Sequence, residues 1–311
     1  MLALSSVFAN ALGFGAALVI VGSAVANHYW RAAVRIRFES AHSRRFRFDA
    51  EGIVHGAAGF TTSARQHDGI PRCAVLLLHG FNDTAQSMTY LGRKLHARGY
   101  TVRAPLLPGH GTRLAIMANE SRAARWHGAV LAEYDALKRE YASVMVIGQS
   151  MGGALALLLA TERPELPALV LLAPYIGMPR SLQWKVFGAW IARAALPYLR
   201  SVGGESSIHD PVARAESLGP GIVTARTLTE LRRVAEDAEA ALSRVWVPTL
   251  YLQSREDNRI AAHDAEAHFT ALGSTDKRLR WLTGCGHIIS ADFCRDEVAS
   301  LTADWLDEHL I

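Results

Sequence analysis

The sequence predicts an α/β protein: a mostly parallel central sheet flanked by helices, with a helical cap inserted late in the chain and an apolar helix at the N-terminus. Three observations carry that expectation. Continuous apolar runs such as Cys73–Leu78 suit strands covered on both faces. These runs alternate with longer segments of helical character. At 148–152 a glycine-flanked turn joins one such run to a helix. The 311 residues are 50% hydrophobic and 20% charged, enough for a large core and unlike a disordered or collagen-like chain. Three cysteines without CxxC spacing exclude a disulfide scaffold and a zinc ribbon. The +4 formal charge comes from scattered Lys and Arg with no aromatic-basic RNA motif, so no nucleic-acid partner is expected.

The N-terminus departs from this scatter. No charged side chain lies between Leu2 and Asn27, and Leu12, Phe14, Leu18, Val19, Ile20 and Val21 make residues 1–30 long and apolar enough for a single-pass membrane anchor. Arg31, Arg35, Arg37, Arg44, Arg45 and Arg47 follow, which by the positive-inside rule places the remaining chain in the cytoplasm. The alternative is export after cleavage near Ala26, since Ala24-Val25-Ala26 resembles a signal-peptidase site, although no Lys or Arg precedes the apolar run. Residues 31–70 read as a basic linker and first strands: Phe46–Asp49 alternates with period two, Gly56–Ala64 follows, and Gln66–Pro71 is a turn.

Residues 71–173 carry the first part of the core. After Cys73–Leu78 comes a helix from about Thr84 to Arg98, stopped by Gly99, then a strand from Tyr100. Ser121–Tyr141 reads as a helix, Val144–Ile147 as a strand, Gly152–Arg163 as a helix and Ala168–Leu172 as a strand. Residues 174–246 exceed what the sheet needs and read as a helical cap, and residues 247–311 complete the core with strands at Thr249–Leu252 and Leu279–Leu282.

Gly148-Gln149-Ser150-Met151-Gly152 is a G-x-S-x-G sequence in strand–turn–helix context. Glycine at 148 and 152 permits a turn sharp enough to lift Ser150 above the sheet at the positive end of a helix. A serine hydroxyl needs a base, and the base needs a carboxylate. Asp257 and His287 each stand just past a downstream strand, in the order Ser150, Asp257, His287. Glu256 and Asp264 are the alternative carboxylates. The N–H groups of Met151 and Phe81 are placed to hold an oxyanion, with Gly80 allowing close backbone approach. His79, on the end of a buried strand, is read as a structural hydrogen-bonding residue.

With His79-Gly80-Phe81, Leu107-Pro108-Gly109-His110-Gly111, the 148–152 turn, Asp257 and His287 in place, the chain from Cys73 onward resembles the α/β-hydrolase superfamily, and within it the carboxylesterase and monoacylglycerol lipase branch. The resemblance implies an α/β-hydrolase fold and hydrolysis of a carboxylic ester, small or lipid-like, by a serine hydrolase with no metal and no organic cofactor. The same triad also serves thioesterases, acyltransferases, C–C bond hydrolases and prolyl-type aminopeptidases, and a catalytically silent, membrane-anchored binding module is the non-enzymatic alternative.

In the cap, Trp184, Phe187, Trp190 and Ile191 recur at helical spacing. The stripe is read first as packing the cap onto the core, and second as an apolar lid for lipid-like chains. Glu230, Glu236, Asp237 and Glu239, on a helix spanning Thr224–Arg244, read as a solvated face, or as an amine site in a peptidase. Cys285 and Cys294 are read as inert packing cysteines. His263 and His268 lack the HExxH spacing of a metal site.

Overall fold

Which face of each strand is covered organises the molecule. The computed structural model describes residues 2–64, 73–201 and 204–310, with the side chains of 2–19, 180, 181 and 205 outside that description. The turn expected at Gln66–Pro71 lies outside the described residues.

Helix α1 (Leu2–Arg45) is followed by β1 (Phe60–Thr62), β2 (Cys73–Leu78), α2 (Thr89–Ala97), β3 (Thr101–Ala104), α3 (Leu114–Glu120), α4 (Ala123–Glu140), β4 (Ser143–Gln149), α5 (Met151–Glu162) and β5 (Leu169–Leu172). The cap then contributes α6 (Arg180–Ala192), β6 (Leu199–Arg200), α7 (Pro211–Glu216), β7 (Ile222–Val223) and α8 (Ala225–Ala241). Strand β8 (Thr249–Ser254), α9 (Ala262–Ala271), β9 (Lys277–Leu282) and α10 (Arg295–Glu308) end the chain.

The 7-stranded sheet runs β1-β3-β2-β4-β5-β8-β9. Strand β1 is antiparallel to β3, and every other pairing is parallel. Alternation along β2 explains the layers: Ala74, Leu76 and Leu78 join the core shared with α4, α5 and α8, while Cys73, Val75 and Leu77 join the core shared with α2 and α10. The register sets Leu78 beside Gly148 and Leu172 beside Gln149 and Leu252, so the loops after β2, β4, β5 and β8 leave from one edge. The cap strands form a separate two-stranded hairpin.

Several expectations are corrected. Residues 31–45 are not a linker, because α1 runs without interruption to Arg45. No Gly or Pro stands between Ser23 and Arg45 to break it. Its second half docks on the body: Tyr198 donates to Glu39 at 2.9 Å, His42 Nε2 meets Thr112 O at 3.1 Å, and Arg45 donates to Ser217 O. Among the described residues no helix is long and apolar enough to cross a membrane. The span expected over 1–30 is therefore unsupported there, and the side chains of residues 2–19 lie outside the described residues. Phe46–Asp49 is not a strand; Phe48 makes one isolated bridge to Val54 because the chain turns back at once. The stripe Trp184, Phe187, Trp190 and Ile191 does not pack on the core. Those side chains are 50–75% exposed, while Val186 and Ala189 face inward. Glu230 is not on a solvated face: it is buried, accepts from Ala123 N at 3.2 Å at the start of α4 and pairs with Arg233. Cys285 and Cys294 are not separate thiols but one disulfide, formed because the loop after β9 folds back onto the start of α10.

Candidate active site

Strand β4 delivers Ser150 to the edge of the sheet in an unusual conformation. Its φ of 55° lies in the left-handed region, which a residue with a side chain occupies only when its surroundings hold it there. They do: Ser150 N–H bonds Leu172 O at 2.9 Å, and Ser150 O accepts from Gly153, Ala154 and Tyr175. A Cβ at Gly148 would stand 2.2 Å from Gly152 O, and a Cβ at Gly152 would stand 2.2 Å from Leu78 O. Both contacts are with backbone, so the turn closes only with glycine at both positions.

Ser150 Oγ lies 2.8 Å from His287 Nε2, and His287 Nδ1 lies 2.8 Å from Asp257 Oδ2. Asp257 is held on all sides. Its Oδ1 accepts from Arg259 N at 2.7 Å and Ile260 N at 3.0 Å, and Oδ2 also accepts from Gln253 Nε2 at 2.8 Å. Burial pushes the Asp257 carboxyl up, but the His287 charge, the His287 hydrogen bond and the two amides outweigh it and leave the group below its ordinary value. A carboxylate facing Nδ1 fixes the tautomer in which Nε2 can accept a proton from the serine.

The His287 loop is anchored by residues that sequence reasoning missed. Gln149, fully buried, donates to His287 O at 3.0 Å and to Leu172 O, and accepts from Ser290 N. Asp292, also fully buried, accepts from Gly286 N at 2.7 Å and from the amides of His209, Asp210 and Phe293 at 2.8 Å. Burial raises its pKa, and the four amides overcome that and lower it. Asp292 thus ties the His287 loop to the cap segment at 209–210. Glu256 is not at the imidazole; it accepts from Gly284 N at 2.7 Å and faces His209. Asp264 sits in the first turn of α9 beside His263.

The remaining expected residues surround the serine. A Cβ on Gly80 would stand 3.3 Å from Ser150 Cβ and 3.8 Å from Ser150 Oγ, so the 79–82 backbone passes directly over the hydroxyl. Phe81 follows it, its ring edge-on to His110 and Trp126. Met151 opens α5, where a first-turn N–H has no acceptor within its own helix. His79 Nδ1 bonds Gly80 O at 2.8 Å and its Nε2 accepts from Leu107 N at 3.0 Å. Both nitrogens are thereby used, and burial, with His110 nearby, pulls the imidazole down to about 3. It ties two loops together as a neutral ring. Asp83, which the sequence reading passed over, lies buried within electrostatic reach of His287, and burial pushes its carboxyl up to about 6 despite bonds from Ser87 and Thr84.

Ser150 is 9% exposed, and the void lined by Phe81, His110, Met117 and Ile222 measures about 10 Å³, room for about one water.

A nucleophile turn, an imidazole and a buried carboxylate on the loops of a mostly parallel sheet define an α/β hydrolase. The family model described as serine aminopeptidase S33 (Hydrolase_4) matches residues 69–292, and the chain belongs to that family. It is 29% identical over 235 residues to a thermostable monoacylglycerol lipase of Bacillus sp. (strain H-257), covering 76% of this chain and 90% of that protein. It is 28% identical over 237 residues to a carboxylesterase of Bacillus subtilis (strain 168), covering 76% and 92%. A solved structure reported for LipS and LipT, two metagenome-derived lipolytic enzymes, superposes with a TM-score of 0.74 at 27% identity, covering 83% of this chain and all of that one.

Proposed function

We propose that the protein is a serine hydrolase that cleaves carboxylic esters with an apolar, lipid-like acyl chain. The observation that carries this reading is the pair of 2.8 Å contacts linking Ser150 Oγ, His287 and Asp257. Ser150 Oγ attacks the ester carbonyl as His287 Nε2 takes its proton, and the Phe81 and Met151 N–H groups hold the oxyanion. His287 returns the proton to the departing alcohol. Water, deprotonated by the same nitrogen, then releases the acid and regenerates Ser150. Asp257 holds the ring and stabilises the imidazolium. The lipid-like preference draws on the apolar cap and on the names of the relatives, a monoacylglycerol lipase among them. An amine site in the cap is less favoured, because Glu230 already serves Arg233 and the start of α4.

The disulfide supports the exported alternative for location, since such bonds persist in oxidising compartments. A C-terminal reporter that matures only in the cytoplasm is expected to stay dark.

The test is labelling by a fluorophosphonate, with Ser150→Ala as control, followed by turnover of p-nitrophenyl esters, monoacylglycerols and aminoacyl-naphthylamides. Labelling lost in the variant and hydrolysis of the esters is the expected result. Asp257→Asn should lower kcat by on the order of 10⁴ without unfolding the protein. Turnover of the naphthylamides alone would overturn the ester reading.

A further inference from the structure

The cap segment 206–210, between β6 and α7, crosses both loops that carry Asp257 and His287. It meets a neighbour on each side of Asp257: Ser207 Oγ donates to Asn258 Oδ1 at 3.1 Å, and His209 Nδ1 lies 3.6 Å from Glu256 Oε2. It also meets a neighbour on each side of His287. Ile288 N donates to Ser207 O at 2.9 Å, and a Cβ on Gly286 would stand 2.8 Å from Ser206 O, so the two backbones are in contact there.

One carboxylate joins this segment to the His287 loop. Asp292 Oδ2 accepts from His209 N at 2.8 Å and Gly286 N at 2.7 Å, while Oδ1 accepts from Asp210 N and Phe293 N, each at 2.8 Å. Each oxygen therefore takes one amide from the cap and one from the loop that bears the imidazole. The side chain is fully buried, so these amides hold its charge in place of water. A carboxylate suits the position because it offers two acceptor oxygens and no donor. The far end of the segment is fixed as well: the Asp210 carboxylate accepts from Val212 N at 2.9 Å and pairs with Arg295 at 3.4 Å. From the opposite side Gln149 of β4 donates to His287 O at 3.0 Å, so the His287 loop is held between the sheet and the cap.

We propose that Asp292 is a positioning residue for Ser150, His287 and Asp257, and that through it the cap segment 206–210 belongs to the frame that sets the 2.8 Å contact between His287 Nε2 and Ser150 Oγ. This role presupposes the serine-hydrolase reading. A base must stay within hydrogen-bond reach of the proton it takes, and Gly286 N stands one residue from the imidazole, so a shift of that amide passes through the backbone to the ring. Asp292 acts on the reaction only through these neighbours.

The test compares the natural chain with Asp292→Asn, which keeps the shape of the side chain but turns one acceptor into a donor facing two N–H groups. Active serines are titrated to completion with a fluorophosphonate, so that kcat refers to folded sites alone. With p-nitrophenyl butyrate, kcat per titrated serine is expected to fall about 10- to 100-fold with KM little changed. The downfield proton resonance of His287 Nδ1, held against Asp257, is expected to shift or broaden. A variant that melts earlier but keeps the natural kcat per serine and the natural resonance would make Asp292 structural only and overturn the proposal. If Asp292→Asn yields no soluble protein, Glu256→Ala decides: its side chain is 48% exposed, and its loss cuts the contact of the same segment through His209. There kcat should fall about threefold or more, and an unchanged kcat overturns the proposal. A natural chain that neither takes the fluorophosphonate nor cleaves any ester would sink the hydrolase reading, while the His287 resonance in natural and variant chains would still decide the positioning.

Discussion

Helices α5 and α6 have nearly the same length, 12 and 13 residues, and both are rich in large apolar side chains. Helix α5 lies between the sheet and α8 with Leu155, Leu157 and Leu159 fully buried. Among its described side chains, helix α6 buries Val186 and Ala189, packs Leu182 partly against the core and turns its Trp and Phe rings to solvent. Apolar composition therefore states that a helix needs a partner without stating where the partner is. For α5 the partner is the rest of the chain, and the same packing that buries it places Met151 N–H and Ser150 at the sheet edge. For α6 the rings of Trp184, Phe187 and Trp190 stand uncovered among the described residues.

The contrast predicts graded responses to substitution. The largest is at Gly152, where a Cβ would meet Leu78 backbone at 2.2 Å. Gly152→Ala should cost more than about 4 kcal/mol and abolish turnover, seen as loss of soluble protein or a collapsed melting temperature. Leu157→Ala, within α5, should cost about 2–5 kcal/mol in urea unfolding. Opening the Cys285–Cys294 bond, by reduction or by Cys285→Ala with Cys294→Ala, should cost about 2–3 kcal/mol and fall on the loop that carries His287.

A smaller effect tests Asp83, a carboxyl that burial pushes up. The folded Asp83 carboxyl titrates near 6 against an ordinary 3.8, so its favourable contribution is complete below 3.8 and lost as pH rises through 6. Asp83→Asn should therefore stabilise the protein by on the order of 1–2 kcal/mol at pH 8 and by little at pH 4, compared by melting at both values. The smallest effect belongs to α6: Trp184→Ala should change stability in solution by within about 0.5 kcal/mol. A cost there matching that of Leu157→Ala would erase the distinction between the two helices.

What was legible in the sequence was local. The β4–turn–α5 unit, the β2 run and the positions of Asp257 and His287 past their strands are set by neighbouring residues, through apolar runs and glycine placement. The anchoring of the site was not legible. Asp292 collects amides from 209, 210, 286 and 293, and Gln149 reaches His287 and Ser290, more than a hundred residues away. No periodicity signals such bonds; a polar residue beside the nucleophile and an acid five positions past the imidazole were the only hints. The disulfide was hidden for the same reason, since a spacing of nine residues does not say whether two sulfurs face each other. The straight run of α1 through its arginines was open to reading, because nothing between Ser23 and Arg45 breaks a helix, but the abrupt gain of charge suggested a boundary instead.

The sequence by itself determined the parallel sheet, the strained turn at Ser150 and the chain order of serine, carboxylate and imidazole, because steric exclusion at Gly148 and Gly152 and burial of continuous apolar runs act over a few residues. Only the tertiary structure decided that Ser150, His287 and Asp257 meet at 2.8 Å, which amides hold the Asp292 carboxylate, and which apolar helix is covered. Those outcomes depend on strand register and on contacts between distant segments, and a linear pattern carries neither.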